Sequence, residues 1–498
     1  MTFNTLDFLL FLPAVFVLYY LLPHKLRNPL LLVANYVFYA AYDTALTLFL
    51  VLCTVITYAI GIAVGRSENP KNAKTWTTLG VVLNVGALAF YKYFNFASEM
   101  VNSLFGGGKK PFKLDLLVPL GISFIIFQTV SYLIDVYRKK LPAETSLFKF
   151  ALYTSFFPKL VQGPIERASD MLPQFDEVHH FEHKRFSEGM LMVLYGLFMK
   201  MVVADNAAVI VNTVYGNLSG NSGACIALAT VMFSLQIYYD FAGYSYTALG
   251  AAKLLGFEMK ENFRQPYLSS SVAEFWRRWH ISLNAWLRDY IYIPLGGNRC
   301  SKARKNLNTL ITFTVSGLWH GANWGYILWG FINGVYINVE NAIMSRIKSR
   351  KTGEESDMTV SAFFGKLVHR IITFCAIAFA WIFFRAQDLT SSVTAVTRIF
   401  KNFNLNVFTN YLTQTFVEGK YENFLGLNVA YGVKALVISM IFVFVVDLLS
   451  EKWNLASELA NRSRLIRWPV YLILMFAIIL FGVYGYGYSA ASFIYANF

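Results

Sequence analysis

Two histidines within tryptophan-rich segments are the first candidates for chemistry in this chain. His320 lies in SGLWHGANWGY, near the middle of the hydrophobic stretch 307–343, and His280 lies in EFWRRWHISLNAWLRDYIYIPLGGNR. An ionisable side chain at membrane depth is costly, so it is a functional-site candidate by default. An imidazole, with an ordinary pKa of about 6.5, is suited to removing a proton from a hydroxyl group. The alternatives are a satisfied core histidine for His320 and an interfacial aromatic belt for His280.

The residues around His320 are suited to a pocket wall, to hydrogen bonding or to a close backbone approach. They are Trp319 and Trp324, Asn323, and the glycines Gly317, Gly321 and Gly325.

The segment 251–306 is long, aromatic and basic. Residues 256–306 hold nine cations and four anions, a net charge of +5. Such a segment suits the lipid headgroup layer, a re-entrant piece buried in protein, or an anionic ligand carrying phosphates. Arg277 and Arg278 are therefore either phosphate ligands or topology anchors, and we expect Asp289 to form a local ion pair with Arg288.

Other polar groups favour simpler interpretations. His179, His180, Glu182 and His183 resemble a metal-binding tract only loosely, and without HExxH or CxxC we expect a solvated surface turn and no metal site. Asp135, Lys92 and Lys200 near predicted span ends are expected to snorkel or to be paired. GxSxG and P-loop patterns are absent, which gives a serine hydrolase or an ATP-driven transporter no support.

The composition points to an all-α polytopic membrane protein. The 498 residues are 56% hydrophobic and only 14% charged, which excludes a disordered chain or a collagen, and four cysteines exclude a disulfide scaffold. About 20 apolar residues span a bilayer, and we predict about eleven or twelve spans plus re-entrant or interfacial helices. The candidates are 8–22, 28–44, 45–65, 77–97, 117–137, 188–215, 224–250, 307–322, 325–343, 367–385, 434–450 and 468–486.

The net charge of +14 is explained mostly by topology rather than by nucleic acid. Every second loop is basic, which predicts that those loops are cytoplasmic and that both termini are outside. Lys109, Lys110 and Lys113 are the exception, since their loop is assigned outside. We expect MTFNTLD to lead into a first membrane helix and not a cleaved signal, and 386–433 to be a polar outside loop.

Several segments together resemble the membrane-bound O-acyltransferase family. The resemblance rests on FWRRWHISLNAWLRDYIYIPLGGNR at 275–299 and SGLWHGANWGYILWG at 316–330, with further agreement at 118–138, 160–167 and 234–271. The chain continues beyond the second histidine, through FAWIFFRAQDLTSSVTAV at 379–396. This layout is similar to that of the alginate O-acetyltransferase subfamily. The shorter teichoic acid D-alanyl transfer proteins end sooner.

The resemblance implies one membrane-embedded acyltransferase domain with N-terminal helices (1–137), a catalytic core (138–343) and C-terminal helices (344–498). It implies catalytic roles for His320 and His280, and substrate or oxyanion contacts for Asn323, Trp319 and Gly321. Arg277, Arg278 and Arg288 would bind the phosphates of coenzyme A.

The resemblance also implies that acetyl-CoA, a substrate and not a bound cofactor, donates from the cytoplasm across a bacterial inner membrane. The site would be open to both faces, and a separate extracytoplasmic esterase-like partner would complete O-acetylation of alginate, peptidoglycan or another polysaccharide. D-alanyl transfer to teichoic acid and a proton-coupled transporter are the alternatives.

Overall fold

The computed structural model describes residues 1–105, 111–116, 118–119, 121–348, 360–416 and 423–484. Lys109, Lys110, Arg350 and Lys351 of the predicted loops lie outside these ranges, as do small parts of the predicted spans 117–137 and 468–486.

The N-terminal part is built from five helices. They are α1 (Leu6–Leu21), α2 (His24–Ala40), α3 (Thr44–Arg66), α4 (Pro70–Phe105) and α5 (Ile122–Tyr137). The apolar runs end at turns, and the side chains of Thr5 and Asp43 accept the amides of Phe8 and Leu46 at the starts of α1 and α3. Such N-caps satisfy backbone donors that have no partner inside the helix.

The proline-containing region 138–187 forms only short helices, as its four prolines indicate. They are α6 (Leu147–Ser155), α7 (Phe157–Leu160), α8 (Ala168–Met171) and a 3-10 turn at Pro173–Phe175. The predicted solvated turn at 179–183 is wrong for His179, whose buried ring donates a hydrogen bond from Nε2 to the Gln174 carbonyl (2.9 Å) and packs on Phe257. His180 is exposed as predicted.

Two long segments cross at the centre of the molecule. The first runs through α9 (His183–Phe198), a π-helical stretch at Met199–Ala204 and α10 (Asp205–Tyr215), and the second is α11 (Gly223–Leu254). A Cβ atom on Gly196 would lie 2.5 Å from the Gly243 carbonyl oxygen, so small residues are required where the two backbones meet.

The buried Lys200 ammonium lies at this crossing and bonds Asp205 at 2.7 Å and Asp240 at 2.6 Å. The side chain is therefore paired, one of the two roles expected for it, and does not snorkel. Asp135 is paired too, with Tyr290 at 2.6 Å and Lys140 at 3.5 Å.

The tryptophan-rich half contains short helices followed by a long helical hairpin. A 3-10 turn at Pro266–Leu268 precedes α12 (Val272–Arg278), α13 (Ile281–Leu287), a π-helical turn at Arg288–Tyr292, α14 (Lys302–His320) and α15 (Trp324–Lys348). Trp276, Trp279 and Trp286 are all buried, so this segment packs into protein and does not present these rings to the headgroup layer.

The C-terminal part adds helices around that core. They are α16 (Val360–Arg385), α17 (Leu389–Lys401), α18 (Asn406–Phe416), α19 (Lys434–Ser450), α20 (Leu455–Ala460) and α21 (Arg464–Phe481), with a two-residue antiparallel hairpin of β1 (Asn423–Phe424) and β2 (Leu427–Asn428) and a π-helical turn at Val429–Val433. The segment 386–433, predicted as a polar outside loop, therefore contains the helices α17 and α18.

The chain is a multi-pass membrane protein. Within the described ranges, seven helical segments are long and apolar enough to cross a membrane: Thr44–Arg66, Pro70–Phe105, His183–Tyr215, Gly223–Leu254, Gly365–Arg385, Tyr431–Ser450 and Arg464–Phe481. Leu6–Leu21 and Ile122–Tyr137 are shorter apolar helices. Each of the twelve predicted spans coincides with a helix where it is described, but α2, α14 and α15 are not among the seven.

Candidate active site

His320 is the last residue of α14, at the turn of the α14–α15 hairpin. Gly321 continues in an extended conformation, and α15 begins three residues later at Trp324. The hairpin closes tightly: a Cβ atom on Gly317 would lie 2.1 Å from the Tyr326 carbonyl oxygen, and one on Gly321 would lie 2.6 Å from the Tyr326 ring. The sequence-based expectation of close backbone approaches around His320 is therefore confirmed. The end of α14 and the start of α15 agree with the predicted spans 307–322 and 325–343 to within two residues.

His280 is held in the turn between α12 and α13 by a left-handed backbone conformation. Its φ is +44°, which is uncommon outside glycine, and functional sites are where such conformations cluster. The Asn284 amide braces this turn by donating to the carbonyls of Trp276 (2.9 Å) and Trp279 (2.6 Å). The Asn262 carbonyl accepts the amide of Ile281 at 2.9 Å.

The two imidazoles flank the Trp319 ring in an aromatic enclosure. The centroid of Trp319 lies 4.7 Å from that of His320 and 6.0 Å from that of His280. The His320 ring also contacts Trp329 and Phe384, each at 5.1 Å. Both histidines are almost fully buried, with 3% and 1% of their surface exposed. This low-polarity environment strengthens any hydrogen bond or charge interaction made inside it.

Trp319 is fixed in the enclosure by its neighbours, yet its indole N–H is unused. The ring stacks on Phe127 at 5.4 Å and meets Phe124 edge-on at 5.9 Å. Nε1 is buried and has no hydrogen-bond partner within the part of the chain that the structure describes. A buried donor left unpaired costs free energy, and one next to two histidines therefore calls for a functional explanation.

The other predicted oxyanion donors are already engaged. Asn323 Nδ2 donates to the Gln387 carbonyl at 2.7 Å, and its Oδ1 accepts the Gly325 amide at 2.7 Å. The Gly321 amide donates to the Leu318 carbonyl at 3.2 Å. The Asn323 side chain and the Gly321 amide therefore stabilise the turn. Either group would have to give up its present hydrogen bond in order to contact a substrate.

A cavity of about 1000 Å³ opens between α9, α11, α12 and the C-terminal helices α19 to α21. Its lining is apolar at Leu191, Leu249 and Val446, and it also contains five carboxylates, Glu188, Glu258, Glu261, Glu451 and Glu458. The cations that line it are Lys253, Arg264, Arg277, Arg278, Lys452 and Arg462. This combination suits a ligand with a polyanionic head and a less polar arm.

Carboxylates neutralise half of these cations. Lys253 pairs with Glu188 (2.7 Å), Arg264 with Glu261 (2.9 Å), and Arg278 with both Glu274 (2.7 Å) and Glu451 (3.0 Å). Arginine and serine contacts also hold the pKa of Glu274 below its ordinary value, against the opposing effect of burial, so this carboxylate is charged at neutral pH.

Arg277, Lys452 and Arg462 have no ion pair among the residues described, which leaves their charges available. Arg277 and Arg278 thus line the cavity as phosphate ligands must. Arg288 lies outside its lining and forms the expected ion pair with Asp289 at 2.9 Å. Lys452 and Arg462 were assigned from the sequence to topology alone, and no local pattern signals that they meet Arg277.

Aromatic rings separate the cavity from the histidines. Phe263 lines the cavity and packs against Phe241 (5.0 Å) and Trp279 (5.1 Å). The Phe241 ring in turn lies 4.7 Å from that of His280. Two aromatic rings, those of Phe263 and Phe241, therefore connect the cavity wall to the His280 ring.

Comparisons with known proteins agree with this arrangement. Residues 72–385 match the membrane-bound O-acyltransferase family. The protein named "Probable alginate O-acetylase AlgI" in Azotobacter vinelandii is 39% identical over 78% of this chain and 76% of its own length. A peptidoglycan O-acetyltransferase of Helicobacter pylori is 32% identical over 78% of each chain.

A teichoic acid D-alanyltransferase of Streptococcus thermophilus is similar over a smaller part. It is 28% identical over 47% of this chain and 59% of its own length. The family match covers both histidine segments and the helices between them, and the two relatives above extend it across most of the chain. The chain therefore belongs to the membrane-bound O-acyltransferase family and is an O-acyltransferase.

Proposed function

We propose that this O-acyltransferase moves an acetyl group from cytoplasmic acetyl-CoA to a hydroxyl group on the other side of a bacterial cytoplasmic membrane. The observation that carries the proposal is the placement of His280, Trp319 and His320 in one buried enclosure near a cavity whose lining includes three cations without an ion pair among the residues described. Coenzyme A matches that cavity chemically, since it joins a phosphate-rich nucleotide to a thioester-bearing arm. Arg277, Lys452 and Arg462 are the cations available for its phosphates.

The direction of α14 supports the two-sided arrangement. At 1.5 Å per residue, its 19 residues rise about 28 Å from the cationic first turn to His320, close to the ~30 Å thickness of a hydrocarbon core. The basic start of α14 belongs in the cytoplasm by the positive-inside rule. His320 then lies toward the outer face, where an extracytoplasmic hydroxyl can approach it without a donor molecule crossing the bilayer.

In the proposed reaction, His320 accepts the proton of the acceptor hydroxyl as its oxygen attacks the thioester carbonyl carbon. A carbon–oxygen bond forms, the carbon–sulfur bond then breaks, and the proton passes to the departing thiolate to give coenzyme A. The indole N–H of Trp319 stabilises the oxyanion of the tetrahedral intermediate, because it is the unused donor between the two histidines. His280 orients the donor or relays the proton.

The acceptor is an extracytoplasmic polysaccharide, reached directly or through a separate partner protein. The proposal rests on the relatives, whose names refer to alginate and peptidoglycan O-acetylation, and on their coverage of most of this chain. The D-alanyltransferase matches less than half of it, which favours acetyl over D-alanyl transfer.

A sidedness assay tests this function. Membrane vesicles of inside-out and right-side-out orientation receive acetyl-CoA, which does not cross bilayers, and release of coenzyme A is measured. Turnover confined to inside-out vesicles supports a cytoplasmic donor site. Turnover confined to right-side-out vesicles contradicts it, and turnover only with carrier-bound D-alanine replaces the proposed donor.

A further inference from the structure

The end of α14 that carries His320 is held from the side by α4. Lys92 Nζ donates to the Trp319 carbonyl at 2.6 Å, and the Tyr93 hydroxyl donates to the Leu318 carbonyl at 2.6 Å. These carbonyls belong to the last turn of α14, where few intrahelical amides remain to bind them. The Leu318 carbonyl also accepts the Gly321 amide at 3.2 Å. Two consecutive residues of one helix thus donate to the end of another, more than 220 residues away in sequence.

Further contacts show that α4 fits this turn closely. The Lys92 ammonium lies 5.6 Å from the centroid of the Trp319 ring and 3.5 Å from Ser123 Oγ on α5. One turn along α4, the Phe96 ring packs on Trp324 at 5.8 Å, at the start of α15. A cation at a helix C-terminus is also favoured by the helix dipole. The α4 side chains therefore contact both arms of the hairpin turn.

The clamped peptide group links the two residues to which the chemistry is assigned. The Trp319 carbonyl bound by Lys92 belongs to the peptide between Trp319 and His320, so its rotation would move the indole and the imidazole together. The indole lacks any hydrogen bond of its own within the described structure. A displacement of about 1 Å in a reacting group can lower a rate by about 10²-fold.

We propose that Lys92 and Tyr93 are positioning residues for acyl transfer, which set the Trp319–His320 peptide through its carbonyl and that of Leu318. The proposal rests on the catalytic roles proposed above for Trp319 and His320. Lys92 binds the carbonyl of the Trp319–His320 peptide itself and Tyr93 that of the preceding residue, so Lys92 has the larger effect.

Steady-state kinetics with acetyl-CoA separate positioning from binding. Lys92→Met is expected to lower kcat by roughly 10- to 100-fold with KM for the donor within about threefold, and Tyr93→Phe by roughly 3- to 10-fold. Lys92→Arg keeps a cationic donor and recovers most of the loss. Lys71→Met, an exposed lysine near the start of the same helix, is the matched control and retains wild-type turnover. A Lys92→Met enzyme with unchanged kcat, or with a raised KM alone, overturns the proposal.

Hydrogen–deuterium exchange tests the clamp without relying on turnover. Amides of the 318–326 turn are expected to exchange faster in Lys92→Met and Tyr93→Phe, while exchange in α9 and α11 stays as in the wild type. The nearly isosteric Tyr93→Phe guards against a variant that merely misfolds. Unchanged exchange at the turn in both variants overturns the proposal, whereas absent acetyl-CoA turnover in the wild type refutes only the proposed donor.

Discussion

Replacing Trp319 by phenylalanine separates a catalytic indole N–H from an aromatic wall. The substitution keeps a ring next to both His280 and His320 and removes the indole donor, which has no hydrogen-bond partner among the described residues. Trp286→Phe is the matched control, because its indole N–H already donates to the Phe127 carbonyl at 2.9 Å. Trp286 and Trp319 also both stack on the ring of Phe127, at 3.9 and 5.4 Å.

The two variants should respond in opposite ways. Loss of one oxyanion donor typically lowers kcat by about 10²- to 10³-fold, or ~2.7–4 kcal/mol, so Trp319→Phe should lose activity on this scale with little change in KM. Trp319→Phe breaks no hydrogen bond. It removes a buried unpaired donor, whose burial costs about 1–3 kcal/mol in the wild type, so part of this free energy is recovered. Trp286→Phe breaks a bond worth about 0.5–1.5 kcal/mol and should lose stability while keeping kcat.

The assay is coenzyme A release by detergent-purified protein over a range of acetyl-CoA concentrations, with thermal unfolding of the same samples. A Trp319→Phe enzyme whose kcat stays within about threefold of wild type would refute the oxyanion role. An equal loss of kcat in Trp286→Phe would show that packing in the enclosure, and not the N–H, explains the effect.

Three further predictions concern stability and donor binding. Lys200→Met leaves two buried aspartates without their cation and should lower stability by about 3–5 kcal/mol in thermal unfolding, whereas a change within the error of the measurement would contradict the pairing. Burial lowers the pKa of His179, so the unfolded chain binds a proton at a higher pH than the folded chain does. The free energy of unfolding should therefore fall as the pH drops below about 6.5. An equally steep pH dependence in His179→Gln would show that His179 does not cause this fall. Arg277→Gln with Lys452→Gln should raise KM for acetyl-CoA several-fold but leave acetyl-pantetheine, which lacks the nucleotide phosphates, unaffected; an equal rise for both donors would contradict phosphate binding.

The helices could be predicted from the sequence because apolar runs of about 20 residues are strong local signals. Each of the twelve predicted spans overlaps a helix, and seven helical segments of the described ranges are long and apolar enough to cross a membrane. The amphipathic α17 was missed, since its polar face interrupts the hydropathy, although Asp388 is a good N-cap and accepts the Ser391 amide at 2.7 Å.

The candidate site could be predicted only in part. The histidine segments stand out because tryptophan, glycine and histidine are unusual together in an apolar stretch, and they do meet in the structure. The predicted spans 307–322 and 325–343 place the end of α14 within two residues of His320, but not the extended Gly321 or the tight packing of the turn against Tyr326.

Long-range contacts were beyond reach of the sequence. Lys92 was expected to snorkel or to be paired, and its contact with the Trp319 carbonyl joins residues 227 positions apart. Likewise, Lys452 and Arg277 line one cavity because Glu451, at the end of α19, meets Arg278 of α12 in an ion pair at 3.0 Å. No spacing rule links such residues, since their meeting depends on how the helices pack.

The central claim is that His320 is the base for acetyl transfer from acetyl-CoA. The most direct measurement compares coenzyme A release by wild type, His320→Ala and His369→Ala, the last replacing an exposed histidine on α16. We predict that His320→Ala loses release by at least about 10²-fold at equal amounts of folded protein, while His369→Ala matches the wild type. Near-normal release by the His320→Ala protein would contradict the account.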